Sequence, residues 1–283
     1  MQKHPIFAGI VMHSDDELEH ALGASVVERQ TIHQWPLSCV QRMRLNDGTQ
    51  LIYKSQLPPT VEAKFYGAAS STLLPDHRRL GRLGDCDIMT IEWIDAPLLR
   101  DAVRTDDELT DHGRQVISQI AEIRGDLPTY LNIGSSDAWS VVADTTIERL
   151  GKLVQTGHFP STSPDAVGRV RLWTRSTEVI DTITRNPRLI HGDLTAQQVF
   201  VTAAGYRVID WQRPVIAPPE VDLVALLVSR RIDPRRYLNS TIVGVFWFLH
   251  LHWAVEAQFN LFPDFRGPLF DQWSSQAIRE ILR

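Results

Sequence analysis

Two acidic residues lie at the ends of a short segment whose residue types suit phosphoryl transfer. Asp193 lies within LIHGDLTAQQVF (residues 189–200) and Asp210 within YRVIDW (residues 206–211), and the amide residue Gln198 follows Asp193 by five positions. One carboxylate can accept a proton from an attacking hydroxyl, while a second carboxylate and an amide oxygen can hold a hard cation. The spacing therefore predicts a proton acceptor together with a cation site.

The elements that must position these groups form a predicted β-hairpin. Residues 198–202 and 206–210 are short and rich in β-forming residues, and Ala203-Ala204-Gly205 between them can supply the turn. Two strands of one sheet can hold two carboxylates over a common space. Each acid taken alone also has an ordinary structural interpretation, Asp193 as a helix N-cap and Asp210 as a turn residue.

Taken together, HGDLTAQQVF and VIDW resemble the catalytic core of the aminoglycoside phosphotransferase family, small-molecule kinases with the protein-kinase fold. That core reads H-G-D-L-H-x-x-N, then a hairpin, then I-D followed by Trp or Phe. The matching positions are His191, Gly192, Asp193, Leu194, Ile209, Asp210 and Trp211. The chain departs from the core at Thr195, where the family commonly has His, and at Gln198, where it has Asn.

The resemblance implies an α+β, bilobal protein-kinase-like fold, with an antiparallel sheet and a helix in the N-lobe and a mostly helical C-lobe. It also implies an enzyme, an O-phosphotransferase that uses ATP (or another nucleoside triphosphate) and Mg²⁺. Its expected partner is a small-molecule substrate with a hydroxyl, such as an antibiotic, a sugar or an amino alcohol. The predicted lobes are residues 1–94, which end at the hinge, and residues 95–283.

The same resemblance implies a role for each matching residue. Asp193 accepts or orients the proton of the substrate hydroxyl, and His191 braces the loop. Asp210 and Gln198 hold Mg²⁺. Because Gln198 has a longer stem than Asn, direct ligation requires the loop to retreat by roughly an ångström on ordinary bond lengths, and Gln197 is an alternative ligand.

The first third of the chain reads as the sheet that such a lobe needs. Residues 25–32, 38–45 and 49–56 have strand patterns. Asn46-Asp47-Gly48 joins the second and third segments as a tight turn, because Asp-Gly readily supplies the positive φ required there. An antiparallel meander is therefore expected.

One lysine on this meander and one acid on the next element have expected roles. Lys54 lies on the third strand, where the resemblance places the lysine that contacts the ATP phosphates. A helix is predicted over residues 61–74, and its Glu62 is expected to orient Lys54 through an ion pair. Lys64 is a rival phosphate contact, although its place on a helix makes it the poorer candidate. Alternatively, Glu62 serves only as an anion in the first turn of the helix, where the helix dipole favours negative charge.

Two further segments are expected to contact the nucleotide. In a kinase-like architecture the hinge recognises adenine through backbone groups, and Glu92, Trp93 and Ile94 are the candidates. The turn between the first two strands, residues 33–38, contains no glycine, whereas protein kinases have a Gly-rich loop there. Ser38 is the candidate phosphate contact in this turn, through its hydroxyl and amide.

The remaining sequence is predicted to be mostly helical. The expected helices cover residues 106–125, 144–157, 171–185, 240–260 and 274–283, with a further helix after Pro219. The resemblance places a buried acid that braces the catalytic loop at Asp222.

Composition excludes several other classes of protein. The chain has 283 residues, a net charge of −5 and no basic cluster that would indicate nucleic-acid binding. Its longest apolar run, residues 242–255, contains two histidines and is too short to cross a membrane. Cys39 and Cys86 are too few for a disulfide framework, so a cytoplasmic location is expected.

Two other functions compete with the kinase hypothesis. A non-catalytic nucleotide-binding or regulatory module of the same fold is favoured by Gln198 and by the glycine-free turn. A metal-dependent phosphoesterase built on His191, Asp193 and Asp210 would need more His and Asp ligands than the sequence provides.

Overall fold

The computed structural model describes all residues from Met1 to Arg283, and its contacts divide the chain into two compact units. The first unit contains Met1–Val103, Glu122–Tyr130 and Gln197–Pro214. The second unit contains Arg104–Ala121, Leu131–Ala196 and Val215–Arg283. Both units are made of segments that alternate along the chain, so the predicted lobe boundary after residue 94 stays a prediction.

The secondary structure is mixed, as the sequence predicts. The strands are β1 (Gln2–Lys3), β2 (Val11–Met12), β3 (Val26–Trp35), β4 (Ser38–Leu45), β5 (Gln50–Gln56), β6 (His77–Leu83), β7 (Cys86–Glu92), β8 (Leu131–Asn132), β9 (Arg188–Ile190), β10 (Val199–Thr202), β11 (Gly205–Val208) and β12 (Val215–Ala217). The helices are α1 (Asp15–Leu22), α2 (Glu62–Ala68), α3 (Leu99–Ala102), α4 (Asp106–Ile120), α5 (Ser136–Gln155), α6 (Pro164–Thr174), α7 (Thr177–Thr184), α8 (Glu220–Ser229), α9 (Ser240–Glu256) and α10 (Leu269–Ile281). A 3₁₀ turn covers Pro234–Arg236 and a π-helical turn covers Ala257–Leu261.

The first unit is built on a five-stranded sheet with the order β3-β4-β5-β7-β6, in which every neighbouring pair is antiparallel. This sheet confirms the predicted meander and adds β6, which the sequence did not predict. The β10–β11 hairpin is also confirmed, with Val199 opposite Val208. The Val201 amide donates to the Pro97 carbonyl and the Val208 amide to the Leu73 carbonyl, so the hairpin is bound within this unit.

The turn between β3 and β4 is much tighter than the predicted six-residue loop. Trp35 pairs directly with Ser38, so only Pro36 and Leu37 remain outside the ladder. The sequence interpretation of residues 33–38 as a loop is therefore wrong. The strands extend further because β-forming residues flank a proline, which can occupy a turn but cannot donate to a ladder.

The second unit is mainly helical and includes a small sheet with the order β8-β12-β9. Its core surrounds α9, most of whose residues are apolar and buried, as expected of a central helix. The aromatic residues Phe246, Trp247 and Phe248 belong to this core. None of the helices in the chain combines the length and apolar character that crossing a membrane requires.

Several predicted helix boundaries are wrong. Helix α2 ends at Ala68 rather than near residue 74, because Ser70 instead forms a β-bridge with Arg124. The predicted helix over residues 171–185 is two helices, since Ser176 caps α7 through its side chain and interrupts the run. Helix α5 begins at Ser136, eight residues before the predicted start, because Ser135 provides an N-cap.

Candidate active site

A buried lysine between two carboxylates is the central feature of the first unit. The Lys54 side chain on β5 is only 4% exposed. Its Nζ atom lies 2.7 Å from Oε1 of Glu62 and 2.6 Å from Oδ1 of Asp210. The predicted Lys54–Glu62 ion pair is therefore confirmed, and Asp210 is a second partner.

Local packing brings the three groups together. The ring of Phe65 on α2 stacks on Trp211 with centroids 4.5 Å apart and planes at 8°, so the helix that carries Glu62 packs directly against the residue after Asp210. The Val61 amide donates to the Gln212 carbonyl at 3.0 Å. Asp210 itself adopts a φ of +76°, which is rare outside glycine and is often found at functional sites.

The electrostatics of the cluster keep the lysine charged. Burial by itself lowers the pKa of Lys54, but the carboxylates of Asp210 and Glu62 outweigh burial and raise this pKa above its ordinary value. Burial raises the pKa of Glu62, and the Lys54 ammonium opposes that shift. A buried charge is tolerated only when it is paired, so this cluster depends on all three groups.

Two glutamines that the sequence interpretation missed complete the cluster. Gln56 donates to Oε2 of Glu62 at 2.6 Å, and Gln212 donates to Oδ1 of Asp210 at 3.1 Å. Gln56 lies two residues after Lys54 on one strand, so both side chains lie on the same face. That spacing was the available sequence signal for Gln56, whereas Gln212 had no comparable signal.

The cluster lies at one edge of a cavity of about 560 Å³ within the first unit, a size typical of small-molecule sites. Apolar side chains from several strands and from the residue after β11 form much of its wall: Val40, Ile52, Ile91, Phe200 and Ile209. Lys54, Asp210 and Gln212 supply polar groups. The cavity therefore offers apolar surface for a flat ring and a charged region for phosphates.

The predicted hinge residues Glu92, Trp93 and Ile94 all line this cavity. The amide of Glu92 donates to Asp76 and the amide of Trp93 donates to Gln50. The Trp93 ring also stacks against the guanidinium of Arg42, whose Cζ lies 4.1 Å from the ring centroid. The Ile94 amide donates to no backbone carbonyl, unlike the amides of Glu92 and Trp93.

Ser38 and Lys64 lie outside the cavity. Ser38 is buried at the start of β4, where it pairs with Trp35 on one side and Gln56 on the other. Lys64 is exposed on α2, whereas Lys54 makes the contacts to both carboxylates. Of the two candidate lysines, only Lys54 lines the cavity.

The two predicted metal ligands lie side by side in the first unit. Nε2 of Gln198 is 3.4 Å from Oδ2 of Asp210. Carboxylate and amide oxygens are donors that suit Mg²⁺, but the Gln198 amide must turn over to present its oxygen. No cluster of three or more His, Cys, Asp or Glu side chains has metal-binding geometry.

The loop that carries Asp193 belongs to the second unit and is anchored by Asp222. The fully buried carboxylate of Asp222 accepts hydrogen bonds from the amides of His191, at 2.7 Å, and Gly192, at 2.9 Å. This confirms the predicted bracing role of Asp222. Gly192 has a φ of +84°, a conformation that favours glycine. No helix begins at Asp193, so the N-cap interpretation is wrong.

Helix α8 holds the same loop at a second point. The hydroxyl of Ser229 donates to the Leu226 carbonyl at 2.7 Å and accepts from the Ala196 amide at 3.3 Å. Ser229 lies seven residues after Asp222, which places both residues on one face of the helix. The residues between His191 and Ala196 are therefore fixed at both ends, with Leu194 completely buried.

Comparison with known proteins gives a family. The model of the phosphotransferase enzyme family matches residues 76–245, which is more than half of the chain. The chain belongs to this family. The prediction of a phosphotransferase enzyme of the aminoglycoside phosphotransferase type is thereby confirmed. Among the curated proteins, none matches the sequence significantly.

Several solved structures share the fold of this phosphotransferase. A thermostable mutant of aminoglycoside phosphotransferase APH(4)-Ia, in a ternary complex with ADP and hygromycin B, aligns at a TM-score of 0.64 and 15% identity, covering 96% of this chain and 98% of the other. A choline/ethanolamine kinase family protein from Mesorhizobium loti aligns at 0.60 and 13%, covering 90% and 87%. Spectinomycin phosphotransferase APH(9)-Ia, in complex with ADP and spectinomycin, aligns at 0.58 and 14%, covering 95% and 96%. The predicted kinase-like α+β fold is confirmed.

The buried acid of this phosphotransferase predicts opposite pH trends for activity and stability. Burial raises the pKa of Asp222 from 3.8 to about 6, although His191 and the two amide bonds oppose the shift. Between these values the folded chain holds a proton that the unfolded chain has lost. Stability should therefore fall by about 3 kcal/mol as pH rises from 3.8 to 6, and then level off.

Activity should instead rise with pH through about 6, because only the ionised Asp222 offers both oxygens as acceptors to the loop amides. We expect turnover of the wild type to show this step and Asp222→Asn to be slow at every pH, since its amide nitrogen would face a backbone N–H. The measurements are kcat against pH and urea unfolding against pH. If the free energy of unfolding changed equally with pH in the wild type and in Asp222→Asn, Asp222 would not be the group whose protonation causes the change.

Proposed function

We propose that the protein transfers the γ-phosphoryl group of ATP, or of another nucleoside triphosphate, to a hydroxyl of a small molecule. The strongest support is the Lys54–Asp210–Glu62 cluster at the edge of the cavity, because a charged lysine held by two acids is suited to phosphate binding. Related structures contain ADP with hygromycin B or spectinomycin, which further supports a nucleotide and a small-molecule acceptor.

Each residue then has one role. The nucleobase lies against the apolar wall, and its edge meets the backbone of Glu92, Trp93 and Ile94. Lys54 steadies the phosphates, and Glu62 keeps the lysine in place. Asp193 accepts the proton of the substrate hydroxyl as it attacks phosphorus.

Asp210 and Gln198 would hold Mg²⁺, whose positive charge would offset charge on the phosphate oxygens. Asp210 also orients Lys54 through its other oxygen. Asp222 acts indirectly, because it accepts from the backbone amides of His191 and Gly192 and thereby holds the loop that carries Asp193. His191 braces the same loop.

The test is a transfer assay with γ-labelled ATP and GTP and a panel of hydroxyl compounds. The panel should contain hygromycin B, kanamycin, spectinomycin, sugars, choline and ethanolamine. Transfer to one acceptor that requires Mg²⁺ is the expected result. An active-site variant, Asp210→Asn, should lose this transfer, while Asp85→Asn, which alters an 87% exposed acid, should retain it.

A non-catalytic nucleotide-binding protein is the alternative that one observation favours. Gln198 lies beside Asp210, and its stem is one methylene longer than that of the Asn common in the family, which makes it less suited to direct ligation of a cation. Nucleotide binding without transfer to any acceptor, and without slow hydrolysis, would favour this alternative over the enzyme.

Substitution of Gln198 should report directly on the metal. Gln198→Ala removes an oxygen ligand and should raise the Mg²⁺ concentration for half-maximal activity by roughly tenfold, equivalent to about 1.4 kcal/mol. Gln198→Asn restores the residue common in the family and should keep or improve the Mg²⁺ response. The neighbouring Gln197→Ala is the matched control, and an effect there equal to that of Gln198→Ala would transfer the ligand role to Gln197.

A further inference from the structure

A β-bulge in the first unit changes which side chains of β3 reach the cavity. The pairing of β3 with β4 shifts register between Thr31 and His33, so Ile32 is the extra residue. In a regular strand, consecutive side chains point to opposite faces, but a bulge can direct two neighbours to one face. Ile32 and His33 both line the cavity, as this explanation requires.

His33 lies in the same row of the sheet as the phosphate-binding lysine proposed above. His33 pairs with Val40, and Val40 pairs with Lys54 on the next strand. Directly paired residues project their side chains from the same face, and all three line the cavity. His33 and Lys54 are two strand spacings apart, roughly 10 Å between backbones.

Few cationic side chains line the cavity and could bind a triphosphate. Its lining includes four acids, Glu92, Asp95, Asp101 and Asp210. Lys54 is one of two lining residues that can carry positive charge, and it is already shared between two carboxylates. The other is His33, whose exposed imidazole makes no hydrogen bond or ion pair.

The turn at this end of β3 offers few backbone amides for that contact. Protein kinases approach the phosphates with backbone amides of a flexible Gly-rich loop, whereas this turn contains only Pro36 and Leu37 outside the ladder. Proline has no N–H to donate. Ser38, the other expected contact, is paired and buried.

We propose that the imidazole of His33 contacts the nucleotide phosphates and takes the place of the glycine-rich loop. A ring N–H can donate to a phosphate oxygen, and a protonated imidazole adds charge to that bond. This assignment rests on the proposed use of a nucleoside triphosphate. It adds a specific phosphate contact that the sequence motif did not indicate.

The test compares affinities for ATP, ADP, AMP and adenosine by calorimetry, in the wild type, His33→Ala, His33→Gln and His33→Lys. A charged hydrogen bond predicts that His33→Ala weakens ATP binding roughly ten- to hundredfold, while adenosine affinity stays the same. His33→Lys should recover much of the ATP affinity. Gln34→Ala is the matched control, because Gln34 is the next residue on β3 and does not line the cavity.

Other outcomes would overturn the assignment in distinguishable ways. Equal losses for ATP and adenosine would make His33 a nucleoside contact, and unchanged ATP affinity in both His33→Ala and His33→Gln would remove it from the site. Failure of the folded wild type to bind either ATP or GTP would instead refute the proposed function itself. Thermal melting of each variant without ligand verifies that the exposed position tolerates the change.

Discussion

Lys54→Met is expected to destabilise the protein by about 3–5 kcal/mol and to lower phosphoryl transfer by roughly 10²–10³-fold. The stability loss arises because Glu62 is completely buried and its nearest cation is Lys54. Removing one member of a buried pair leaves an uncompensated charge, which costs more than the pair contributes. Urea unfolding and the transfer assay measure the two effects separately.

A double variant separates the structural role of the lysine from its chemical role. Lys54→Met combined with Glu62→Gln removes both buried charges, and the new amide oxygen can still accept from Gln56. We expect the double variant to regain most of the lost stability but none of the lost transfer. The free energies of unfolding of the two single variants and the double variant should therefore not be additive. The deviation from additivity should be several times the roughly 0.3–0.5 kcal/mol found for independent sites.

Lys64→Met provides the matched control for this cycle. Lys64 lies on the neighbouring helix and is exposed, so its loss should change the unfolding free energy by no more than about 0.5 kcal/mol. Transfer should be unaffected. If Lys64→Met abolished transfer while Lys54→Met did not, Lys64 would be the phosphate contact and the assignment of Lys54 would be wrong.

Local patterns predicted the elements that carry this cluster, whereas the roles of Lys54 and Glu62 followed from the family resemblance. Asp210 follows a hairpin strand, and Lys54 lies on the third strand of a meander whose turn is marked by Asp-Gly. Glu62 lies in the first turn of the next helix. Such local patterns can be recognised without knowledge of tertiary contacts, because each depends on residues only a few positions apart.

Features that depend on tertiary contacts were not predictable in the same way. Lys54 and Asp210 are 156 positions apart, so no local pattern could show that they touch. Strand β6 was missed because its sequence, HRRLGRL, contains three arginines and a glycine, whereas its pairing with β7 decides its structure. The bulge at Ile32 was likewise invisible, since register is set by the pairing of the whole strand.

The bracing of the loop that carries Asp193 was predictable only through the family resemblance. Asp222 lies in the first turn of the buried helix α8, and by itself this position indicates an acid that is stabilised by the helix dipole. Its bonds to His191 and Gly192 join positions about 30 residues apart. Ser229, which anchors the other end of the loop, carried no sequence signal at all.

Asp193→Asn is expected to lower kcat by roughly 10²–10⁴-fold, the usual contribution of a general base, and to leave nucleotide affinity unchanged. The cavity is formed by residues of the first unit and does not include Asp193, so its loss should not alter ground-state binding of the nucleotide. A fall in kcat without a change in affinity is the signature of a group that acts only during transfer. Single-turnover transfer and calorimetric titration with ATP measure the two quantities.

The matched control and the stability measurement decide whether Asp193 acts chemically or only shapes the loop. Asp181→Asn alters an exposed acid on α7 and should leave both kcat and affinity unchanged. Asp193→Asn should unfold at a urea concentration close to that of the wild type, because the loop is held through the backbone by Asp222 and Ser229. A large loss of stability together with a small loss of kcat would mean that Asp193 supports the loop, and the proton acceptor would then have to be another residue.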